Sequence, residues 1–159
     1  MLLWIRGLIF TALVPAVIAF VLPSWVDPRA QRRGGWWELG WVPIAAGSLI
    51  YLLCLVRFLA AGGTPAIFFT RHLRFVLGEE PGKVVSSGLY RLSRNPMYVG
   101  VLTAVFGQAL LYGSLRIGAY WCVASAFFHC VVEFLEEPHL RATRGASYEE
   151  YCRTVRRWL

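Results

Sequence analysis

The chain has 159 residues, of which 57% are hydrophobic, 15% aromatic and only 16% charged. Soluble domains carry about 25% charged residues on average, so this composition excludes an ordinary soluble protein and predicts one integral membrane domain. The net charge of +7 would favour nucleic-acid binding in a soluble chain. Because no basic module with interleaved aromatic residues is present, we expect no nucleic-acid partner.

Two apolar segments near the N-terminus predict membrane-spanning helices. Leu2 to Leu22 is apolar apart from Arg6 and Thr11, and Trp41 to Ala61 forms the second segment. Each has the length of about 20 residues that crosses a bilayer. The first segment lacks a small-residue cleavage pattern, so we interpret it as a retained helix and not as a signal peptide.

A polar segment from Gly62 to Asn95 separates these helices from a second apolar pair. Asn95 is a candidate N-cap with Pro96 in the first helical position, so a third helix is predicted to run to about Gly113. The turn GSLR leads into a fourth helix, predicted from about Ile117 to Glu136, and the two helices form a hairpin. Small residues on the third helix favour close packing against a neighbour; they are Gly100, Ala104, Thr103 and Gly107.

The C-terminal tail has the pattern of two short helices. Gly145 is expected to end the first of them, and Ser147 with Glu150 is expected to form a capping box for the second. Apolar and aromatic residues then recur at helical spacing to Trp158, opposite a face of arginines. This pattern predicts an amphipathic helix on the membrane surface.

These elements predict an all-α fold, an integral membrane helical bundle with about four transmembrane helices, a helix 3–4 hairpin and a C-terminal amphipathic helix. Four spans place the N- and C-termini and the 62–95 loop on one side of the membrane. Most of the lysines and arginines lie in these segments. The positive-inside rule therefore predicts that this side is cytoplasmic.

Three glutamates lie near the end of the fourth helix. Glu133, Glu136 and Glu137 are spaced i, i+3 and i+4, so we expect them to share one face. Pro138 is expected to kink or end the helix and to free backbone carbonyls beside the carboxylates. The result would be a pocket for a cationic group such as an ammonium, and the alternative is a set of ion pairs with Arg91, Arg94 or Arg141.

A metal site is the other interpretation of this face, because His129 also lies on it. A metal would require matching ligands from another helix. The third helix offers only Gln108, deep in the apolar segment, so we predict no metal.

The start of the third helix has the complementary character. A helix N-terminus favours anions such as a carboxylate, and Arg94 adds positive charge. Tyr90 and Tyr98 offer aromatic faces that attract a cation such as a sulfonium. One end of the predicted site therefore suits a carboxylate and the other an ammonium, and an amino-acid group carries both.

The motifs SGLYRLSRNPMYVG and EEPHLRATRGASYEEYCRTVRRW resemble the isoprenylcysteine carboxyl methyltransferase and phospholipid methyltransferase superfamily of membrane enzymes. The resemblance covers roughly residues 62 to 158. It implies S-adenosylmethionine as cosubstrate and S-adenosylhomocysteine as product, bound at the cytoplasmic ends of the last helices. The residues expected to bind the cosubstrate are Val84, Val85, Tyr90, Asn95, Pro96, Met97, Tyr98, Glu136 and Glu137, and those expected to be catalytic are Arg94, Asn95 and Glu136.

We expect a single membrane methyltransferase domain over residues 1–159, with two N-terminal spans in 1–61 and, as the resemblance implies, a cosubstrate-binding core in 62–159. The sequence departs from the isoprenylcysteine branch at Asn95, where that branch usually has histidine. It also has Val131 and Val132 where that branch uses an arginine just before its glutamates. The acceptor class therefore stays open among a carboxylate, a thiol, an amine and a phospholipid headgroup.

We expect the acceptor to be a lipophilic small molecule or a lipid that enters from the bilayer. The small-residue face of the third helix could either pack tightly or leave an apolar slot for it. No obligate protein partner is evident beyond the membrane lipids. Two alternatives remain open at this point, a non-catalytic membrane subunit on the same scaffold and a metal-dependent membrane enzyme.

Overall fold

The computed structural model describes residues 2–65 and 81–159, and the described chain is helical. Helix α1 runs from Leu2–Leu13 through a π-helical turn at Val17–Val21 into Leu22–Val26. A 3-10 turn at Gly35–Gly40 leads into α2, Trp41–Ala60, and a second one at Gly88–Arg91 precedes α3, Pro96–Tyr112. Helix α4 comprises Leu115–Val131, a π-helical turn at Val132–Glu136 and Glu137–Arg144, and α5 is Ala146–Thr154.

The predicted membrane bundle is confirmed. Trp4–Val26, Gly35–Ala60 and Leu115–Arg144 are long and apolar enough to cross a membrane, and Pro96–Tyr112 is a shorter apolar helix. With 17 residues this helix is about 25 Å long, at the lower end of the spanning range. The α3–α4 hairpin is tight because Gly113 adopts a left-handed conformation with φ of 54° and the Ser114 hydroxyl accepts the amide hydrogen of Ile117.

Contacts between helices define two ends of the bundle. At one end, which we call the site end, Gly7 of α1 packs against Leu59 of α2. At the other end, Asp27 after α1 accepts a hydrogen bond from Ser114 and lies 3.7 Å from Arg116. The N-terminus of α1, the C-terminus of α2 and the start of α3 therefore lie together.

The small residues of α3 pack directly on α2. A Cβ atom added to Gly100 would lie 2.7 Å from the carbonyl oxygen of Gly47, and one added to Gly107 would lie 2.7 Å from that of Gly40. The two backbones thus touch, as the small-residue pattern predicts. An apolar cavity of about 500 Å³ of empty volume lies beside this contact and is lined by Gly100 and Ala104, so tight packing and an apolar slot occur together on this face.

Each of the two π-helical turns ends two residues before a proline. Pro23 has no N–H group, so the carbonyls of Ile18 and Ala19 lose a backbone donor. The Tyr120 hydroxyl donates to Ile18 O at 2.9 Å and the Gln108 amide donates to Ala19 O at 2.5 Å. These side chains hold the distortion of α1 inside the bundle, where an unpaired carbonyl would be costly.

The fourth helix does not end at Glu136, as the sequence predicted. Val132–Glu136 lies just before Pro138, and the helix continues beyond it to Arg144. The proline distorts the helix as expected but does not end it, because the wider turn accommodates the missing N–H group.

The tail agrees with the sequence prediction only in part. Gly145 breaks the chain between two helices with φ of 51°, and α5 is the expected amphipathic helix. The capping box is wrong, because the Ser147 hydroxyl donates to Arg144 O at 2.9 Å and no side chain caps α5. The helix ends at Thr154 instead of Trp158, since Val155 is extended with φ of −124° and ψ of 134°.

Candidate functional site

A cavity lies at the site end of the bundle. It has about 1190 Å³ of empty volume, including the part that opens to solvent. Side chains from all five helices and from the segment before α3 line it. Polar groups surround one end, and apolar side chains line the part that follows the helices inward.

The cavity brings most of the predicted site residues together. The described residues that line it include Arg94 and eight of the nine expected to bind the cosubstrate, namely Val84, Val85, Tyr90, Asn95, Met97, Tyr98, Glu136 and Glu137. The ninth, Pro96, is buried in the first turn of α3 and does not line the cavity.

Glu136 forms the acidic part of the cavity wall. The Tyr98 hydroxyl donates to its Oε1 atom, and the Tyr98 ring packs against Phe128 with centroids 4.6 Å apart. Burial raises the pKa of Tyr90 well above its ordinary value, and Cys54 and Glu136 nearby raise it further. Both causes reinforce the neutral form of the Tyr90 hydroxyl, which can act as a donor.

Glu137 lies inside a cluster of arginines. Its side chain is 2% exposed and lies 3.3 Å from Arg94 Nη2 and 3.3 Å from Arg141 Nη2. Arg157 binds both carboxylate oxygens, with Nε 2.7 Å from Oε1 and Nη2 3.1 Å from Oε2. The ion-pair alternative is therefore correct for Glu137.

The expectation that the three glutamates share one face is wrong. Arg157 also contacts Glu133 at 3.1 Å, so Glu133 and Glu137 point to one guanidinium while Glu136 points to Tyr98. The physical reason is the π-helical turn at Val132–Glu136. Its wider turn keeps residues i and i+4 on one face and turns residue i+3 away.

Arg94 and Asn95 precede α3 as predicted, but Asn95 does not cap the helix with its side chain. Its Nδ2 atom donates to Arg157 O at 3.0 Å instead. Arg94 contacts Cys152 Sγ through Nη1. Its Nε atom is buried and has no hydrogen-bond partner among the described residues, so this guanidinium keeps a donor for a further group.

His129 lies outside the cavity wall. Its Nε2 atom is 3.2 Å from Glu133 Oε2, and its Nδ1 atom accepts a hydrogen bond from Trp158 Nε1 at 3.2 Å. In residues 2–65 and 81–159 no group of three or more histidine, cysteine or acidic side chains is arranged to hold a metal.

Several cavity residues were missed by sequence reasoning. Arg144 lines the cavity and donates to the carbonyls of Pro81 and Gly82 at 2.6 and 2.8 Å. Tyr148 and Tyr151 also line it, and their helical spacing in the tail motif was the only signal. The apolar wall includes residues of the two N-terminal helices, which carried no signal: Phe10, Val14, Pro15, Ile18, Tyr51 and Phe58.

Fold and site together define a membrane-embedded helical protein with a cavity of mixed polar and apolar lining at one end of the bundle. Residues 42–146 match the family model described as phospholipid methyltransferase, and the chain belongs to this family. The predicted resemblance is thereby confirmed.

Curated relatives are plant enzymes of the isoprenylcysteine branch. The chain is 34% identical over 118 residues to a probable protein-S-isoprenylcysteine O-methyltransferase of Oryza sativa subsp. japonica, which covers 74% of this chain and 57% of the relative. It is 26% identical over 147 residues to protein-S-isoprenylcysteine O-methyltransferase B of Arabidopsis thaliana, covering 91% of this chain and 69% of the relative. The chain thus spans little more than half the length of the rice relative. No solved structure matches the chain significantly.

Proposed function

We propose that this protein is an integral membrane methyltransferase that uses S-adenosylmethionine and transfers the methyl group to a lipophilic acceptor from the bilayer. Membership of the family and the names of the plant relatives support the reaction type. The observation that carries the proposal is a single cavity in which a cationic group, an anionic group and an apolar wall meet.

The polar end of the cavity fits the amino-acid part of the cosubstrate. Arg94 has a buried Nε donor without a partner among the described residues, which suits a carboxylate. Glu136 faces the same cavity and suits an ammonium. Tyr90 and Tyr98 supply aromatic walls that favour a cation.

The protein's own residues bind and orient the reactants, because the methyl donor needs no further activation. S-adenosylmethionine supplies a methyl group that is already activated on a sulfonium. Arg94, Asn95 and Glu136 then bind and orient the cosubstrate, and the cavity walls exclude water from the reacting atoms.

The apolar wall provides the route that we propose for the acceptor. Among the described residues, α1 packs on α4 mainly through Leu22–Val26, at the end away from the site, while Leu2–Leu13 packs on α2. The two helices therefore diverge toward the cavity. Phe10, Val14, Pro15 and Ile18 line the cavity. From the first to the last of them the helix rises by about 12 Å, so an acceptor tail can lie between α1 and α4.

We also propose that the site end, with both termini, faces the cytoplasm, because most of the lysines and arginines among the described residues fall in the segments that lie there. Single cysteines in a chain otherwise without cysteines test this. An exposed cysteine at Ser24 should react with an impermeant reagent from outside intact cells, and one at the exposed Glu149 should not. The opposite pattern would refute this topology.

Titration of purified protein with S-adenosylhomocysteine tests the proposed function. We expect a micromolar Kd and, for Glu136→Gln, affinity weaker by about tenfold or more, because a hydrogen bond to a charged group contributes about 1.5–3 kcal/mol. The matched control is Glu149→Gln on α5, 54% exposed, which should bind like the wild type. Absence of binding at millimolar ligand would exclude the cosubstrate.

A methyl-transfer assay then tests the acceptor. Alkyl thiols, amines and carboxylates of increasing chain length should show rising apparent affinity, since each buried methylene contributes about 0.8 kcal/mol. Equal turnover of short, water-soluble acceptors would contradict access from the bilayer. Binding of S-adenosylhomocysteine without transfer to any lipophilic acceptor would instead favour the non-catalytic subunit.

A further inference from the structure

The C-terminal segment Val155–Leu159, which we call the strap, crosses the start of α3. Arg94 N donates to Arg156 O at 2.9 Å. Two side chains before α3 donate to the next carbonyl, that of Arg157, from Ser93 Oγ at 3.3 Å and from Asn95 Nδ2 at 3.0 Å. The strap lies beyond residue 146, where the family match ends.

The side chain of Arg157 joins the strap to α4. It binds Glu137 side-on through Nε and Nη2, at 2.7 and 3.1 Å, and binds Glu133 through Nη1 at 3.1 Å. The hydrogen bond to Glu137 is the main cause that raises the pKa of Arg157 above its ordinary value. Arg157 is therefore the principal counter-ion of Glu137.

This arrangement changes what Arg94 can do. Arg94 makes a single contact with Glu137, at 3.3 Å, and its buried Nε has no partner among the described residues. Glu137 is the most deeply buried carboxylate of the cluster, and three guanidiniums share it, of which that of Arg141 is about half-exposed. With Arg157 in the side-on position, Arg94 retains both a donor and positive charge for an anionic group in the cavity.

We propose that Arg157 is a positioning residue of the cosubstrate site: by neutralising Glu137 it keeps the Arg94 guanidinium available for the carboxylate of the ligand. The inference rests on the proposed function. Without Arg157, Arg94 becomes the nearest buried partner of Glu137 and turns to it, so the carboxylate of the ligand loses its donor.

Two ligands that differ in the amino-acid group separate this role from a general structural one. S-adenosylhomocysteine carries the carboxylate, whereas 5′-methylthioadenosine keeps the adenosine and the sulfur and lacks the amino acid. In Arg157→Ala the affinity for S-adenosylhomocysteine should fall by about tenfold or more, while the affinity for 5′-methylthioadenosine should change by less than about twofold. Retained binding of 5′-methylthioadenosine also shows that the variant is folded.

Further variants complete the test. Arg157→Lys keeps one charge but loses the side-on pair, so its loss should be intermediate. Because Arg157 acts through Arg94, the double variant Arg94→Ala, Arg157→Ala should bind S-adenosylhomocysteine no worse than Arg94→Ala alone. The control is Arg153→Ala, 77% exposed and paired with Glu150 at the surface, which should leave both affinities unchanged.

Each other outcome has a definite meaning. A parallel loss of both ligands in Arg157→Ala, or additive losses in the double variant, would overturn the positioning role and leave the proposed function standing. Unchanged binding of S-adenosylhomocysteine in Arg157→Ala would do the same. Failure of the wild type to bind either ligand would overturn the proposed function, and the inference with it.

Discussion

Glu136 and Glu137 are neighbours in the sequence and lie in opposite surroundings in the structure. Glu137 is 2% exposed and contacts three guanidiniums, those of Arg94, Arg141 and Arg157. Glu136 is half-buried, lines the cavity and accepts a hydrogen bond from Tyr98. Both carboxylates line the cavity, and they differ in their partners: guanidiniums hold Glu137, whereas Glu136 accepts from the Tyr98 hydroxyl.

The difference shows how a proline can divide the roles of two adjacent acids. Pro138 follows the π-helical turn Val132–Glu136, and this turn directs Glu136 to Tyr98 and Glu137 to the arginines. Removing one partner of a buried ion pair strongly destabilises a protein, because the other charge is left buried without compensation. A cavity-facing carboxylate has water or ligand as alternative partners, so its loss should affect binding more than folding.

The largest expected effect is on folding, in Glu137→Gln. The amide leaves the Arg94 and Arg157 guanidiniums without their buried counter-ion, so the free energy of unfolding should fall by about 3–5 kcal/mol. Chemical unfolding in detergent micelles measures it. Glu149→Gln, exposed on α5 and paired with Arg141 at the surface, is the control and should change the value by less than about 0.5 kcal/mol. A change in Glu137→Gln as small as in the control would show that the cluster is not a stabilising element.

Arg94→Lys should have a smaller effect on folding. Lysine can reach Glu137 as a point charge but cannot also keep the Nη1 contact with Cys152 Sγ or supply an Nε donor. We expect a loss of about 1.5 kcal/mol in unfolding free energy, together with weaker binding of S-adenosylhomocysteine. Binding at wild-type strength would mean that a point charge suffices and that the spare Nε donor has no role.

The segments and motifs that depend on local composition were predictable. Four apolar stretches define the spans, and the motif before α3 together with the Glu136–Glu137 pair supplies most of the polar cavity residues. The direction of each glutamate was not predictable, because helical spacing alone places Glu133, Glu136 and Glu137 together. Only the π-helical turn separates them, and its effect depends on packing around α4.

The strap and the apolar wall were missed for a different reason. Apolar spacing in the tail continues formally to Trp158, but the donors that draw the chain out of the helix belong to Arg94 and Asn95, about 60 residues earlier. Phe10 and Val14 are similarly indistinguishable in sequence from side chains that face lipid. Long-range contacts decide both cases, and no local pattern encodes them.

Tyr98→Phe tests the other side of the comparison with a still smaller change. It removes the hydroxyl that donates to Glu136 and keeps the ring that packs on Phe128. We expect a loss of about 1 kcal/mol in unfolding free energy, since the carboxylate can turn to water in the cavity. A loss as large as in Glu137→Gln would show that Glu136 is held as a structural ion and that the comparison is wrong.

Glu136→Gln should have the smallest effect on folding when no ligand is bound. Its larger effect should be on how much a bound ligand stabilises the protein. The amide oxygen can still accept the Tyr98 hydroxyl hydrogen, so the free energy of unfolding without ligand should change by less than about 0.5 kcal/mol. At a concentration of S-adenosylhomocysteine 100 times its wild-type Kd, the ligand should stabilise the wild type by about 2.7 kcal/mol. With about tenfold weaker binding, the same concentration should stabilise Glu136→Gln by only about 1.4 kcal/mol.

The free energy of unfolding, measured for both proteins without ligand and at this ligand concentration, gives the effect of the substitution on folding and its effect on ligand binding in one experiment. Equal stabilisation of both proteins would remove Glu136 from the ligand site, whereas a large loss without ligand would place it with Glu137 in the folding core.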